Sequence, residues 1–415
     1  MNINYRFFIS LAVIGVIAGL VGFALTELLH FVQHQAFGYS TNGENIPFRI
    51  GVENATPERR LIVLVVCGLV VGLGWYFLHK FGSQLVDIKK SLLNPQKGLP
   101  FSTTILHSLL QIITVGLGSP LGREVAPREM SAAFASLWIK KMKLNTEDAK
   151  LLIACASGAG LAAVYNVPAA AVIFIIETLV CVINIRVVFS ALFVSCLATI
   201  VSRYMLGDLV QYHLTDFSVN TPILWFSVFM GIATAFVVKA FRSCTTLFPF
   251  WQRTDKRMII LAVLAFACIG FLSMYYPDIL GNGKAGNQLA FMGLMDYKES
   301  LVLLFVKWLA VLLALAAGAY GGLITPSMML GSTLALSVAF VWNYFLPPIS
   351  TETAALIGAT VFLALSLKMP LTAIIFALEL TRSSGEILFP LVLAVSGGLF
   401  IEKFFLTKIK SQPQP

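Results

Sequence analysis

The chain alternates between apolar runs and short polar segments, and the length of the runs changes along it. Runs at residues 7–25 and 61–79 have the length of about 20 apolar residues that a helix needs to cross a bilayer. Between residues 101 and 165 the apolar segments are shorter and are interrupted by glycine and proline. Such breaks are tolerated at membrane depth only where the backbone is buried in protein or lines a water-filled cavity. The pattern predicts an all-α membrane bundle that includes tilted and half-spanning helices.

The same order of long and short runs returns in the second half of the chain. Longer runs are followed by shorter segments broken by proline. The longer runs lie at 168–183, 187–206, 222–241, 258–276 and 301–317, and the later segments at 326–346, 353–367, 370–380 and 388–405.

Two segments about 200 residues apart share their spacing. Residues 158–177 read GAGLAAVYNVPAAAVIFIIE, and residues 358–379 read GATVFLALSLKMPLTAIIFALE. In each, a proline precedes a glutamate by nine positions (177 − 168 = 9 and 379 − 370 = 9). Upstream, a glycine precedes a proline by five positions in both 122–127 and 321–326. This register predicts an internal duplication.

Duplicated transporters with inverted-topology repeats bind substrate where the interrupted helices of the two halves meet. We therefore predict one transmembrane transport domain over residues 1–415, with a first repeat at about 61–206 and a second at about 222–405. The segment 321–326, Gly-Gly-Leu-Ile-Thr-Pro, is the predicted counterpart of the first half-site.

Composition supports a polytopic membrane protein. Of the 415 residues, 58% are hydrophobic and 12% are charged, and the mean hydropathy is +0.85. Soluble domains have about 25% charged residues. No polar segment is long enough to fold as a separate soluble domain.

The net charge of +9 comes from basic residues in short loops, which argues against a nucleic-acid partner. The basic loop at 80–97 is the clearest cytoplasmic candidate under the positive-inside rule. Two spans separate this loop from the N-terminus, so we expect the N-terminus to be cytoplasmic as well.

Glu124 lies in a glycine-rich turn at the start of an apolar helix, within the segment 116–135. A charge at membrane depth is costly, and ionisable residues there usually mark an ion or proton path. A helix start presents unpaired N–H groups and the positive end of the helix dipole. These features predict an anion site, although a glutamate here could instead cap its own helix.

Three motifs together resemble the CLC family of chloride channels and proton-coupled anion exchangers. They are Gly122-Arg123-Glu124, the Gly-Gly-x-x-x-Pro element at 321–326, and the segment 158–177 that ends in Phe-Ile-Ile-Glu. The resemblance covers nearly the whole chain and is to the smaller bacterial members without C-terminal regulatory domains. It implies a multi-pass protein of the bacterial inner (plasma) membrane and a homodimer with one pathway per subunit. We expect no cofactor and no metal ion.

The resemblance also implies roles for individual residues. In the family, the glutamate of the Gly-Arg-Glu motif moves in and out of an anion site, so Glu124 is the expected gate and proton carrier. A carboxylate placed where an anion binds must leave, by protonation or by motion, when the anion arrives. The residues expected at the anion site are Ser83, Gly122, Arg123, Val125, Ala126, Leu323, Ile324 and Thr325.

Departures from the family pattern leave the inner part of the pathway open. Ser83 takes the place of the family's inner serine, but its neighbours do not follow the family motif, and it could instead be a loop serine. Where exchangers carry an internal proton-relay glutamate, directly after the position of Glu177, this chain has Thr178. Glu177 could supply that proton step or could be a structural carboxylate. No tyrosine follows Tyr344, so the family's late anion-coordinating tyrosine has no counterpart.

The transported ion is also open at this level. The hydroxyl of Thr325 would favour a small, strongly hydrated anion, and some relatives without the usual serine and tyrosine export fluoride. Chloride/proton exchange, fluoride/proton exchange and an uncoupled chloride channel therefore remain as alternatives. From a different class, a membrane-embedded hydrolase using Glu124, Glu177 and His107 would need a nucleophile and base in reach of one another, which the sequence does not suggest.

Overall fold

The computed structural model describes residues 5–39, 47–215, 217–249 and 251–406. Within these ranges the regular elements are helices, apart from one antiparallel bridge between Gly122 and Gly322. This confirms the predicted all-α class.

The first half holds nine α-helices, and a π-helix, Ile175–Val180, continues the eighth. The α-helices are α1 (Tyr5–Phe37), α2 (Phe48–Asn54), α3 (Pro57–Phe81), α4 (Ile88–Leu93), α5 (Phe101–Gly116), α6 (Val125–Met142), α7 (Thr146–Tyr165), α8 (Pro168–Phe174) and α9 (Ile185–Leu206).

The second half holds eight α-helices, two short 3₁₀ turns at Pro277–Ile279 and Gly385–Ile387, and a final π-helix at Glu402–Leu406. The α-helices are α10 (Thr221–Thr245), α11 (Arg257–Tyr275), α12 (Lys284–Phe291), α13 (Tyr297–Ala316), α14 (Ile324–Phe345), α15 (Thr351–Leu367), α16 (Pro370–Thr381) and α17 (Leu388–Ile401).

Among the described residues, nine helices are long and apolar enough to cross a membrane. Shorter apolar helices, such as α5 and α16, lie between them. The chain is therefore a multi-pass membrane protein with shorter helices among its spans, as the breaks in its apolar runs predict. The region 101–165 does not consist only of short segments, however, because α7 is itself long enough to cross a membrane.

Two predicted boundaries differ from the structure. The first span does not end at residue 25, because α1 continues to Phe37 and buries Thr26, Leu29 and Gln33 against its neighbours. The run at 168–183 is not one regular span, because α8 gives way to the π-helix at Ile175. The polar stretch after the first span includes α2, and its residues 40–46 lie outside the described part of the chain.

Contacts between helix ends define two faces of the bundle. Arg186 at the start of α9 pairs with Asp148 at the start of α7 and lies over the ring of Phe7 in α1. We call the face where these three helices begin the N-terminal face. On the opposite face, where α9 and α16 end, Asp208 pairs with Arg203 and Arg382.

Two glutamates join the repeats by capping each other's broken helices. The carboxylate of Glu379, in α16, accepts the N–H groups of Ala169 (2.9 Å) and Ala170 (2.7 Å) at the start of α8. The carboxylate of Glu177, in the π-helix, accepts the N–H groups of Leu371 (3.0 Å) and Thr372 (2.8 Å) at the start of α16.

These caps keep the register of the sequence repeat, since 371 − 169 = 202, 372 − 170 = 202 and 379 − 177 = 202. Each repeat thus satisfies backbone donors that the other's broken helix leaves unpaired. The half-helices are stable at membrane depth because each has this partner.

We expect Glu379→Gln to destabilise the protein by about 1–2 kcal/mol, the usual cost of losing a helix N-cap. The measure is the fraction that stays monodisperse in detergent after heating. Glu386→Gln is the matched control, because Glu386 is an exposed glutamate in the nearby turn. If the same fraction of both variants stays monodisperse after heating, the result would contradict a stabilising role for the cap.

Candidate functional site

The two glycine-rich loops predicted from the sequence are hydrogen-bonded to each other. The N–H of Gly122 donates to the carbonyl of Gly322 at 2.7 Å, and the N–H of Gly322 donates to the carbonyl of Gly122 at 2.8 Å. Helices α6 and α14 begin a few residues after these glycines. The pairing therefore brings the starts of the two helices together inside the bundle.

Glu124 lies at this junction and is almost fully buried, with 1% of its surface exposed. Its backbone is at the N-cap position of α6, yet its side chain makes no capping hydrogen bond to that helix. Instead, Oε1 accepts the N–H of Ile324, the first residue of α14, at 2.6 Å. The carboxylate thus occupies a position at the start of the opposite helix where an anion would be stabilised.

Tyr165, the last residue of α7, holds the other carboxylate oxygen. Its hydroxyl donates to Oε2 of Glu124 at 3.3 Å and lies 3.3 Å from Oγ1 of Thr325. Sequence reasoning missed this residue, because it ends a helix with no acidic or glycine-rich motif of its own. The available signal was its place in the segment 158–177, one of the three family motifs.

The loop glycines leave the space that the carboxylate fills. A Cβ atom on either Gly122 or Gly322 would collide with the carboxylate of Glu124. Both positions need glycine for this close approach of backbone and side chain.

Arg123 anchors the loop beside the carboxylate. Its Nη2 donates to the carbonyl of Val164 at 3.5 Å, and its guanidinium lies 5.4 Å from the centre of the Tyr165 ring. Its side chain is 8% exposed. The charge of Arg123 therefore adds positive potential close to Glu124.

The remaining predicted anion ligands lie in two places, four of them at the junction and Ser83 in the loop after α3. Val125 and Ala126 open α6, and Leu323 and Thr325 flank Ile324 at the start of α14, so these four lie at the junction. The carbonyl of Thr325 accepts a hydrogen bond from Asn287 in α12 at 3.3 Å.

Ser83 lies apart from that junction, in the loop after α3. It is exposed, and its N–H donates to the hydroxyl of Thr103 at 3.0 Å. Its role as an inner anion ligand stays a prediction.

A cavity lies on each side of the junction. The one toward the opposite face has about 60 Å³ and is lined by the basic residues His30, Arg123, Arg203 and Lys284, among others. The one toward the N-terminal face has about 260 Å³, and Asp87 and Lys90 are among the residues lining it. Glu124 therefore lies between two cavities.

The predicted internal proton step falls on residues with backbone partners. Besides its two N–H donors in α16, Glu177 accepts the hydroxyl of Thr372 at 2.6 Å. The hydroxyl of Thr178 donates to the carbonyl of Phe174, one turn earlier, at 2.7 Å. The proton step at Glu177 and Thr178 stays a prediction.

The family model described as voltage gated chloride channel matches residues 62–403, which is most of the chain. The chain therefore belongs to the voltage-gated chloride channel family, and the resemblance drawn from its motifs is confirmed.

Curated relatives are bacterial transporters. The chain is 24% identical over 420 residues to the H(+)/Cl(−) exchange transporter ClcA of Yersinia pseudotuberculosis serotype IB (strain PB1/+), covering 95% of this chain and 84% of the relative. It is 24% identical over 414 residues to the ClcA of Salmonella paratyphi B (strain ATCC BAA-1250 / SPB7), with the same coverage.

Solved structures share the fold. A slow cyanobacterial Cl⁻/H⁺ antiporter matches with a TM-score of 0.81 at 20% identity, covering 98% of this chain and 96% of that one. A CLC-type fluoride/proton antiporter matches with a TM-score of 0.70 at 18% identity, covering 96% and 95%. These likenesses confirm the CLC-type architecture with inverted repeats.

We expect Tyr165→Phe to raise the affinity for chloride about 5-fold, because the carboxylate of Glu124 loses a donor worth about 1 kcal/mol. The measure is calorimetric chloride titration of the purified protein. Tyr212→Phe is the matched control, since Tyr212 is a buried tyrosine whose hydroxyl contacts Asn287. Equal affinities for the two variants would contradict the role of Tyr165 in holding the carboxylate.

Proposed function

We propose that the protein exchanges chloride for protons across the membrane, with Glu124 as both gate and proton carrier. The observation that carries this proposal is the 2.6 Å hydrogen bond between the Ile324 N–H and the Glu124 carboxylate. A helix start that binds a carboxylate also suits a chloride ion.

The gate works by competition. A hydrogen bond to a charged group and the helix dipole together stabilise the ionised carboxylate at the helix start by about 2–4 kcal/mol. Protonation removes most of this stabilisation, so the occupancy of the helix start by the side chain falls by roughly 30- to 1,000-fold. A protonated Glu124 leaves the helix start, and chloride takes its place. Return of the carboxylate expels the anion and requires the proton to be released.

The charge around the site supports an anion pathway. The cavity on the opposite face has three cationic side chains in its lining, Arg123, Arg203 and Lys284, and clefts lined by one sign of charge concentrate ions of the other sign. Chloride would enter or leave through this cavity. The wider cavity on the N-terminal face provides the second access.

The basic loops support an orientation in the membrane. The loop at 80–97, the end of α6 near Lys140 and the start of α7 lie at the N-terminal face. Under the positive-inside rule this face is cytoplasmic, which places the N-terminus in the cytoplasm of a bacterial inner-membrane protein. By family resemblance, the working unit is a homodimer with one pathway in each subunit.

Fluoride is the second candidate substrate, and Thr325 favours it. The hydroxyl of Thr325 lies beside the carboxylate position, where it can donate to a small and strongly hydrated anion. Chloride is preferred because the curated relatives are named as chloride exchangers.

A hydrolase is not supported by the placement of its three candidate residues. Glu124 contacts Ile324, Glu177 contacts the start of α16, and His107 contacts Trp75. Each therefore has a different environment, and the arrangement provides no nucleophile next to a base.

Flux into reconstituted liposomes that contain a pH dye tests the proposal. When a gradient drives chloride into the liposomes, we expect protons to move out of them. An equal fluoride gradient should move few protons. Protons driven by fluoride alone would contradict the chloride assignment. Anion flux without any proton movement would contradict exchange and would favour an uncoupled channel. Glu124→Ala, the matched control, should keep anion flux and lose proton movement.

A further inference from the structure

The cavity on the N-terminal face contains a second, partly buried carboxylate, which the gate does not use. Glu129 of α6 lines this cavity together with His107, Thr104 and Tyr320. Its side chain is 15% exposed, so it is shielded within the bundle and still reaches the cavity.

Two side chains of α5 hold the carboxylate of Glu129 in place. Nε2 of Gln111 donates to its Oε2 at 3.1 Å, and Nε2 of His107 lies 3.5 Å from the same oxygen. Gln111 and His107 are four residues apart and share one face of their helix. The carboxylate is therefore fixed beside polar partners in the cavity wall.

The tautomer of His107 follows from its other nitrogen. Nε1 of Trp75 donates to Nδ1 of His107 at 2.9 Å, and indole nitrogen is only a donor. Nδ1 of the neutral ring must therefore accept, which leaves the proton on Nε2, directed at Glu129. The rings of Trp75 and Tyr320 pack against His107 and fix its orientation.

Glu129 also lies on the helix that Glu124 begins. The two residues are five positions apart, which corresponds to a rise of roughly 7.5 Å along α6. Arg128 lies between them in sequence and interacts electrostatically with both carboxylates. A proton path between the two carboxylates therefore spans more than one turn of α6 and runs through water.

Other charged and titratable groups surround this pair. Asp87 and Lys90 line the cavity from the segment after α3, and His79 and Arg253 act electrostatically on His107. These groups set the local potential, whereas Glu129 is the carboxylate of α6 that lines the cavity.

We propose that Glu129, positioned by His107 and Gln111, is the proton-loading site through which protons pass between the N-terminal-face cavity and Glu124. The proposal rests on the proton-coupled transport proposed above. A hydronium ion in the cavity gives its proton to the Glu129 carboxylate, at the oxygen that Gln111 and His107 do not contact, and leaves as water. The neutral acid then passes that proton through water to the carboxylate of Glu124, and Glu129 becomes an anion again.

This assignment supplies a proton path although Thr178 stands where exchangers of the family carry an internal proton-relay glutamate. The hydroxyl of Thr178 is used within its own helix, and Glu177 is used to cap α16. A carboxylate at Glu129 supplies a proton step on the same side of the gate without either residue. Glu177 is then structural, as its repeat partner Glu379 is.

Glu129→Gln tests the proposal, because it keeps the side chain's size and removes its ability to carry a proton. We expect proton movement driven by a chloride gradient to fall at least 10-fold while chloride flux continues. Glu177→Gln is the matched control and should keep the proton-to-chloride ratio of the unmodified protein. An unchanged ratio in Glu129→Gln, or a loss confined to Glu177→Gln, would overturn the proposal. Absence of proton movement in the unmodified protein would instead contradict the proposed function itself.

A second pair of variants covers the case in which Glu129→Gln does not fold. Lys90 lines the cavity, whereas the neighbouring Lys89 does not, and both are exposed. At roughly 20 mM salt, where screening is weak, Lys90→Glu should move the half-maximal pH of proton transport upward, because a nearby negative charge favours protonated Glu129. The shift should exceed that of Lys89→Glu. Equal shifts, or none, would overturn the proposal.

Discussion

The hydrogen bond from the Ile324 N–H to the Glu124 carboxylate is the constraint on which the site depends. A carboxylate at membrane depth is costly unless donors replace its water. The start of α14 supplies one donor and Tyr165 supplies a second. The bridge between Gly122 and Gly322 sets the spacing, and the absence of side chains on both glycines leaves room for the carboxylate. A site built to hold this charge can hold a different anion when the carboxylate leaves.

The two repeats depend on each other, but they are not equivalent at the gate. Glu177 and Glu379 cap each other's half-helices with the same offset, and this part of the structure is symmetric. Gly122 corresponds to Gly321, so the position of Glu124 corresponds to Leu323. Only the first repeat therefore contributes a carboxylate to the junction of α6 and α14. The two helix starts at the junction therefore share a single movable negative charge. This arrangement suits alternate occupancy by the carboxylate and an anion.

Much of the fold could be predicted because it follows from local patterns. The lengths of the apolar runs predict the spans and the half-helices, and the proline-to-glutamate spacing predicts the repeat. Glu124 and Ile324 could be assigned to one site because the glycine motifs before them recur in both halves. The structure adds that their loops are joined directly.

Other parts of the site could not be predicted because they depend on which helices pack together. Tyr165 ends α7, far in sequence from the residues it contacts, and no spacing rule connects it to Thr325. The partners of Glu129 lie on α5, whose order in the bundle the sequence does not show. The role of Glu177 does not follow from the sequence for the same reason, because a carboxylate in a helix is identified as a cap only when the start of α16 lies opposite it.

The central claim is that chloride and the Glu124 carboxylate compete for the same N–H group. Calorimetric chloride titration in buffers of different ionisation enthalpy measures it directly, because it counts protons bound together with the anion. We expect the unmodified protein to take up protons as chloride binds, and Glu124→Gln to bind chloride more tightly without proton uptake. Chloride binding without proton uptake in the unmodified protein, or with unchanged uptake in Glu124→Gln, would contradict the account.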